Sequence, residues 1–379
     1  MQNPWQPLFA SGETPETSNA VRFRVLNRGG QPFLFLPSSN AAAARALDLY
    51  PAQSTKARIA RILLKVALHA GFALGTKSLT ATIPETSAFA RFLSKVAGMA
   101  GNRVPQFAVL AGNPSAPGRR FVFLLFDKDN KPAAVVKAGH EHEARLLIQR
   151  EASVLSSARA GSTAIPHLRR TFSSPQVEAF STDFIPGQSP PPNSTHEPGK
   201  IFSSWLNPLG KVRLREIDAW KRFTTAANNE PLLQIISSLG EIEVVSTLMH
   251  GDFAPWNVKV EGERWTVLDW ERGEIAGVPT WDWLHFIIQP AVLVERENAG
   301  KTLARLDALF ASPEFSNYAQ QAKISGHEHA LTLAYLIYCI RVTRQTEGLE
   351  RISALMKLAE EKWAGDFTVQ RPPGTHKES

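Results

Sequence analysis

Between residues 248 and 273 the chain reads LMHGDFAPWNVKVEGERWTVLDWERG, and Asp252, Asn257 and Asp269 within it have the types and spacing for metal-assisted group transfer. NVKV and RWTVLD read as two short strands joined by Glu261-Gly262-Glu263, a pattern that predicts an antiparallel hairpin. Asn257 opens the first strand and Asp269 closes the second, six residues on either side of Glu263, so the hairpin should bring their side chains to one edge. Asp252 stands five residues before Asn257, on the loop leading in. An amide oxygen and two carboxylates converging in this way suit Mg2+, which takes a few protein oxygens and leaves its other positions to phosphate and water.

A second pair lies upstream. Lys137 ends the strand PAAVVK (132–137), and the helical stretch 141–158 after it carries an apolar stripe of Ala144, Leu147, Ile148, Leu155 and Ala158. Glu151 falls on that stripe. A carboxylate on a buried face is costly unless paired. Lys137, fourteen residues upstream, is the natural partner and Glu143 the fallback carboxylate. The alternative has Glu151 at the stripe's edge and Lys137 solvated.

His250-Gly251-Asp252, Asn257 and Asp269 in VLDWE together resemble the catalytic and metal-binding loops of the aminoglycoside phosphotransferase and choline kinase family. These are distant relatives of the protein kinases, whose loop also spaces Asp and Asn five apart. The resemblance covers about residues 105–365 and is sharpest over 250–282. It implies an α+β, bilobal protein-kinase-like fold with a small β-rich lobe and a mostly helical one. It also implies Mg2+-dependent transfer of the γ-phosphoryl group of ATP, with GTP open, to a hydroxyl of a small molecule. In its terms Asp252 accepts or orients the proton of the attacking hydroxyl, while Asn257 and Asp269 hold Mg2+. His250 braces the loop, and Asp282 in PTWDWLHF (279–286) anchors a helix start behind it. Lys137, held by Glu151, would meet the α- and β-phosphates. GNPSAPG (112–118) stands in place of the phosphate-covering loop, where Ser115 and backbone amides could touch phosphate, a plain hairpin loop being the alternative. TDFIPG (182–187) resembles the hinge that holds the adenine, with Thr182, Phe184 and Ile185 at the slot or, alternatively, in the core. Two departures from the protein-kinase pattern, Gly251 in place of Arg and Trp270-Glu271 after Asp269, match the small-molecule branch.

The elements that must position these groups divide the 379 residues into an N-terminal α+β extension (1–104), a nucleotide-clamp lobe (105–186), a catalytic lobe (187–370) and a frayed tail (371–379). VRFRVLN and QPFLFLP form a hairpin about Arg28-Gly29-Gly30, and two helical stretches follow it. Residues 1–20 read as loose, and 187–199 as an exposed linker. Beyond residue 200 the periodicity is helical apart from the hairpin near 257–269.

Composition excludes several classes. The net charge of +7 could favour an anionic ligand or surface, but no run of like charges suggests a nucleic-acid arm. The lone Cys339 excludes a disulfide framework and reads as a core thiol. No apolar run reaches the roughly 18 residues of a membrane span, and no chain-start leader pattern is present, so a soluble cytoplasmic protein is expected. The partners are then a nucleoside triphosphate and a small hydroxylated acceptor. Segment 200–223 carries six Lys or Arg against Glu216 and Asp218, which suits a neutral or anionic acceptor if it lines the site. Trp205, Trp220, Trp256 and Trp281 could stack on a sugar ring or fill the core. The extension resembles that of phosphotransferase-like proteins encoded near bacterial polysaccharide genes, which points towards a sugar-type acceptor. The competing reading is a catalytically silent kinase-like scaffold, against which the intact Lys137, Asp252, Asn257 and Asp269 count.

Overall fold

A computed structural model describes residues 3–10, 18–50, 55–72, 76–99, 103–114, 118–190, 196–227, 238–343 and 346–368. The chain divides into two compact units, Met1–Ser157 with Ile165–Gly187, and Ala158–Ala164 with Gln188–Ser379.

The first unit is built on one antiparallel sheet. Its elements are β1 (Ser18–Arg28), β2 (Gln31–Pro37), α1 (Asn40–Ala46), α2 (Thr55–His69), β3 (Lys77–Pro84), α3 (Ala88–Val96), β4 (Phe107–Ala111), β5 (Phe121–Phe126), β6 (Pro132–Gly139), α4 (His142–Ser156), β7 (Leu168–Ser173) and β8 (Glu178–Asp183). The sheet order is β3-β1-β2-β4-β5-β6-β8-β7. The β1–β2 turn places Gly29 and Gly30 at φ 56° and 80°, the left-handed pair that a two-residue hairpin loop needs.

Two expectations are corrected here. No break falls near residue 104, because β2 pairs with β4 through Leu34–Leu110 and Phe35–Val109. The reason is the alternation in β2: Phe35 joins a core on one face of the sheet, while Leu34 and Leu36 join a second core on the other. A strand apolar on both faces belongs inside a sheet, so β1, β2 and β3 share one sheet with the Lys137 strand. Nor is the start of the chain loose where it is described. Trp5, Leu8 and Phe9 are fully buried, and Trp5 meets Phe23, Phe35 and Phe107 edge to face. Each such pair adds about 0.5–1.5 kcal/mol beyond area burial.

The second unit is mostly helical: α5 (His196–Trp205), β9 (Leu206–Arg213), α6 (Asp218–Ala226), β10 (Glu243–Met249), β11 (Val258–Glu261), β12 (Arg264–Val267), β13 (Glu274–Gly277), α7 (Trp281–Gln289), α8 (Ala299–Phe310), α9 (Pro313–Ala322), α10 (Glu328–Arg341) and α11 (Leu349–Thr368). Besides the expected β11–β12 hairpin it holds a three-stranded sheet, β13-β10-β9, absent from the sequence reading. A continuous apolar run such as VVSTLM in β10 cannot be told from a buried helix by periodicity, and Pro208 and Gly210 punctuate β9. The expected linker is only partly described. Gln188 bridges Val260, residue 196 already begins α5, and residues 191–195 and the tail 371–379 lie outside the described residues.

Segment 200–223 is not a free basic surface. Arg213 and Arg215 both pair with Glu241, Lys221 with Asp218 and Arg222 with Glu274.

Candidate active site

Buried strand β10 delivers His250-Gly251-Asp252 at its end. His250 is fully buried. Its Nε2 lies 2.8 Å from the Leu268 carbonyl, and its Nδ1 accepts the Asp252 N–H at 3.2 Å. That pattern needs a neutral ring with the proton on Nε2, and burial indeed lowers its pKa, outweighing the nearby Asp282, Asp252 and Asp269 carboxylates. The ring ties the loop to the end of the hairpin, the bracing role expected for it.

Gly251 has φ 76°, and a Cβ there would stand 2.7 Å from the Arg272 carbonyl oxygen. The Arg of protein kinases is therefore excluded on two counts. Gly251→Ala should lose about 2 kcal/mol of stability or more, from left-handed strain of about 1–2 kcal/mol plus the backbone clash. Denaturant titration measures this, and an Ala variant as stable as wild type would contradict the geometry.

Asp282 sits in the first turn of α7 and is buried. Its carboxylate accepts the backbone N–H groups of His250 at 2.5 Å and Gly251 at 2.9 Å. Burial raises its pKa against the opposing pull of His250 and the two amides. Asp282 thus holds the loop from behind, as expected. Thr280, just before α7, is held at φ 75° with its N–H on the Tyr318 hydroxyl at 2.9 Å. Left-handed backbone at a β-branched residue is strained, and such strain gathers at functional sites.

The hairpin register differs by one residue from the symmetry about Glu263. β11 and β12 pair from Val258–Val267 to Glu261–Arg264, so the turn is the two-residue Gly262-Glu263 with Gly262 at φ 60°. A left-handed Gly favours that short loop. Asn257 consequently faces Leu268, whose N–H donates to the Asn257 carbonyl at 2.7 Å, and Asp269 lies one residue beyond. Asp269 takes φ 66°, ψ 58°, and starts the tight turn Trp270–Arg272. Asp is one of the few residues apart from Gly that tolerate this conformation.

The Asn257 amide is oriented by Asp252. Its Nδ2 donates to the Asp252 carbonyl at 2.9 Å and to Asp252 Oδ2 at 3.1 Å, so its oxygen is the branch turned away. Among the described residues no group of three or more His, Cys, Asp and Glu is placed to hold a metal ion. The available donors are the Asp269 carboxylate and an amide oxygen, hard ligands that fit Mg2+ with phosphate and water completing it.

Sequence reasoning missed two residues here. His285 Nε2 lies 3.0 Å from Asp252 Oδ1, and the Tyr335 hydroxyl lies 2.9 Å from His285 Nδ1. His285 follows Asp282 by three positions, so helical spacing alone could have placed it on the same face of α7. Tyr335 lies in the apolar run of α10 and carried no signal. Burial pushes the Asp252 pKa up, but the His285 hydrogen bond and charge, with Arg272 and His250, outweigh it and the net shift is downward.

Asp252 opens on a cavity of about 310 Å³ whose wall includes Trp256, Trp281, Arg272, Tyr338 and Thr343. Trp205 and Trp220 are buried core and do not line it. Cys339 is buried at the cavity's back, where burial pushes its thiol up to about 12.

In the first unit, Lys137 Nζ and Glu151 Oε1 are 2.6 Å apart, with side chains 13% and 3% exposed. The pairing expected from the stripe is formed, and Glu143 is exposed. Thr182 is buried in β8 opposite Val135, Phe184 packs against the second core, and Ile185 is half-buried. Ser115 lies outside the described residues.

No family model and no curated protein matches the chain. Solved structures are similar to it. One is a protein of Ralstonia eutropha JMP134 provisionally named an aminoglycoside phosphotransferase, at 14% identity and TM-score 0.46, covering 75% of this chain and 98% of the other. A second is a thermostable variant of aminoglycoside phosphotransferase APH(4)-Ia with AMP-PNP and hygromycin B, at 15% and 0.43, covering 73% and 99%. A third is APH(2")-IIa with streptomycin and ATP, at 15% and 0.40, covering 70% and 96%.

Proposed function

We propose that this chain is a Mg2+-dependent kinase that moves the γ-phosphoryl group of ATP to a hydroxyl of a small molecule, a sugar or sugar-like metabolite. The observation that carries the reading is Asp252, held ionised between His285 and Asn257 on the wall of a cavity. At about 310 Å³ the cavity is at the small end of the range for ligand sites, roughly 300–1,000 Å³. Trp256 and the deeper, buried Trp281 are the aromatic residues of the wall, whose charged groups are Arg272 and the carboxylates of Asp252, Asp282 and Glu347. Carboxylates and an Arg beside an aromatic ring are the groups that meet the hydroxyls and the apolar face of a sugar.

The acceptor hydroxyl donates to Asp252. As its oxygen bonds to the γ-phosphorus, its proton passes to the carboxylate and the bond to the leaving diphosphate breaks. Asn257 and Asp269 would hold Mg2+, which when bound would supply positive charge to offset that of the phosphates. Lys137, fixed by Glu151, is the proposed phosphate contact of the first unit. The reaction needs position and electrostatics from the protein more than covalent chemistry.

The test is a thermal-shift titration of the full chain with ATP, with and without Mg2+, followed by a transfer assay on a sugar panel. A Mg2+-dependent rise in melting temperature is expected, since a ligand of the native state alone stabilises it. Absence of any shift together with absence of ATP turnover would sink the reading.

His285 acts as a positioning residue. His285→Ala should lower kcat by roughly 10- to 100-fold through misplacement of Asp252, with the KM for ATP unchanged. His285→Gln, which keeps a donor, should recover part of it. A rise in the KM for ATP at constant kcat would contradict this role.

A further inference from the structure

Among the described residues, eleven large apolar side chains are exposed, and five of them lie between residues 59 and 72. Ile59, Ile62, Leu63, Val66 and Phe72 are 53% to 65% exposed, whereas the other six are spread singly along the chain. On α2 the spacing 59, 62, 63, 66 makes one stripe on one helix face. The opposite face is already used, since Leu64 and Leu68 pack on the alanines of α1. A helix apolar on both faces normally has both covered, and an exposed patch of this kind marks an interaction surface.

Charge selects the occupant. Thr55–His69 contains Lys56, Arg58, Arg61 and Lys65 and neither Asp nor Glu. A second copy laid on the stripe would bring cation against cation, with Asp48 beside Lys65 as an opposing acid and none on the helix itself, which is costly. An anionic lipid surface meets both features, because apolar side chains enter the boundary between headgroups and acyl chains while lysines and arginines stay among the phosphates. Arg61 and Lys65 lie away from the stripe's centre, Arg61 donating to the Tyr50 carbonyl at 3.1 Å and Lys65 to Asp48 at 2.6 Å. No described helix is long and apolar enough to cross a membrane. We propose that α2 docks the protein on an anionic bilayer surface, laying Ile59, Ile62, Leu63, Val66 and Phe72 into its outer boundary.

The experiment is co-sedimentation of the full chain with vesicles of phosphatidylcholine alone and of phosphatidylcholine with phosphatidylglycerol. Binding to the anionic vesicles should be at least about tenfold stronger and should fall with added salt. The double variant Ile62→Gln, Val66→Gln should lose binding at least about tenfold with its melting temperature unchanged. Binding to neither vesicle, equal binding to both, or a variant that binds like wild type would overturn the proposal. So would a wild-type dimer in sedimentation velocity that becomes a monomer in the variant, since a second copy would then be the occupant.

Discussion

Asp252→Asn is expected to lower kcat by about 10²–10⁴-fold, the usual contribution of a positioned general base, with the affinity for Mg-ATP nearly unchanged. The substitution keeps the shape and one acceptor oxygen and removes the group that takes the proton. Its side effect can be stated in advance. The carboxylate accepts from Asn257 Nδ2 and faces His285 Nε2, whereas an amide has one oxygen, so one donor loses its partner at about 1–3 kcal/mol. The variant should therefore be less stable yet folded, and nucleotide binding separates the two effects. The pH dependence has a definite sign. The folded-state pKa of Asp252 is depressed below its ordinary 3.8, so its stabilising effect is present above that value and lost as pH falls through the folded pKa. An acid limb of the wild-type rate due to Asp252 consequently lies below the ordinary carboxylate range. Equal loss of nucleotide affinity and kcat in Asp252→Asn would contradict the assigned role.

What the sequence disclosed follows a physical division. Local rules placed the hairpins, because turn residues and alternation are short-range signals: Gly29-Gly30 and Gly262 lie at the turns they announce. The Lys137–Glu151 pair was legible because a lone carboxylate on an apolar stripe demands a cation. The chain Asp252–His285–Tyr335 was not, because it depends on α7 and α10 meeting over the loop, and separations of 33 and 50 residues leave no pattern in one sequence. Register failed by one position for a related reason. The symmetry argument centred the turn on Glu263, whereas a left-handed Gly262 closes a two-residue loop. The supposed boundary at residue 104 failed because pairing between β2 and β4 is likewise long-range. Local chemistry named three oxygens of the site, and packing supplied the groups that aim the central one.

Asp269 gives the sharpest separation of metal binding from folding. Its left-handed backbone means that Asp269→Ala tests two things at once, since Ala at positive φ is strained by about 1–2 kcal/mol while Gly is not. Asp269→Gly keeps the conformation and deletes the ligand, and Asp269→Asn keeps shape and conformational tolerance and deletes the charge. All three should lose Mg2+-dependent turnover by about 10²–10³-fold, the range for removing one group that stabilises charge in the transition state. Stability should divide Gly from Ala, both of which lack the carboxylate, with Ala about 1 kcal/mol lower than Gly. The Mg2+-dependent part of the thermal shift with ATP should vanish in all three. If Asp269→Asn retained Mg2+-dependent turnover, the proposed metal ligand would be wrong. If Gly and Ala were equally stable, the left-handed turn would not be a constraint on this position, and the tight turn at Trp270–Arg272 would need another cause.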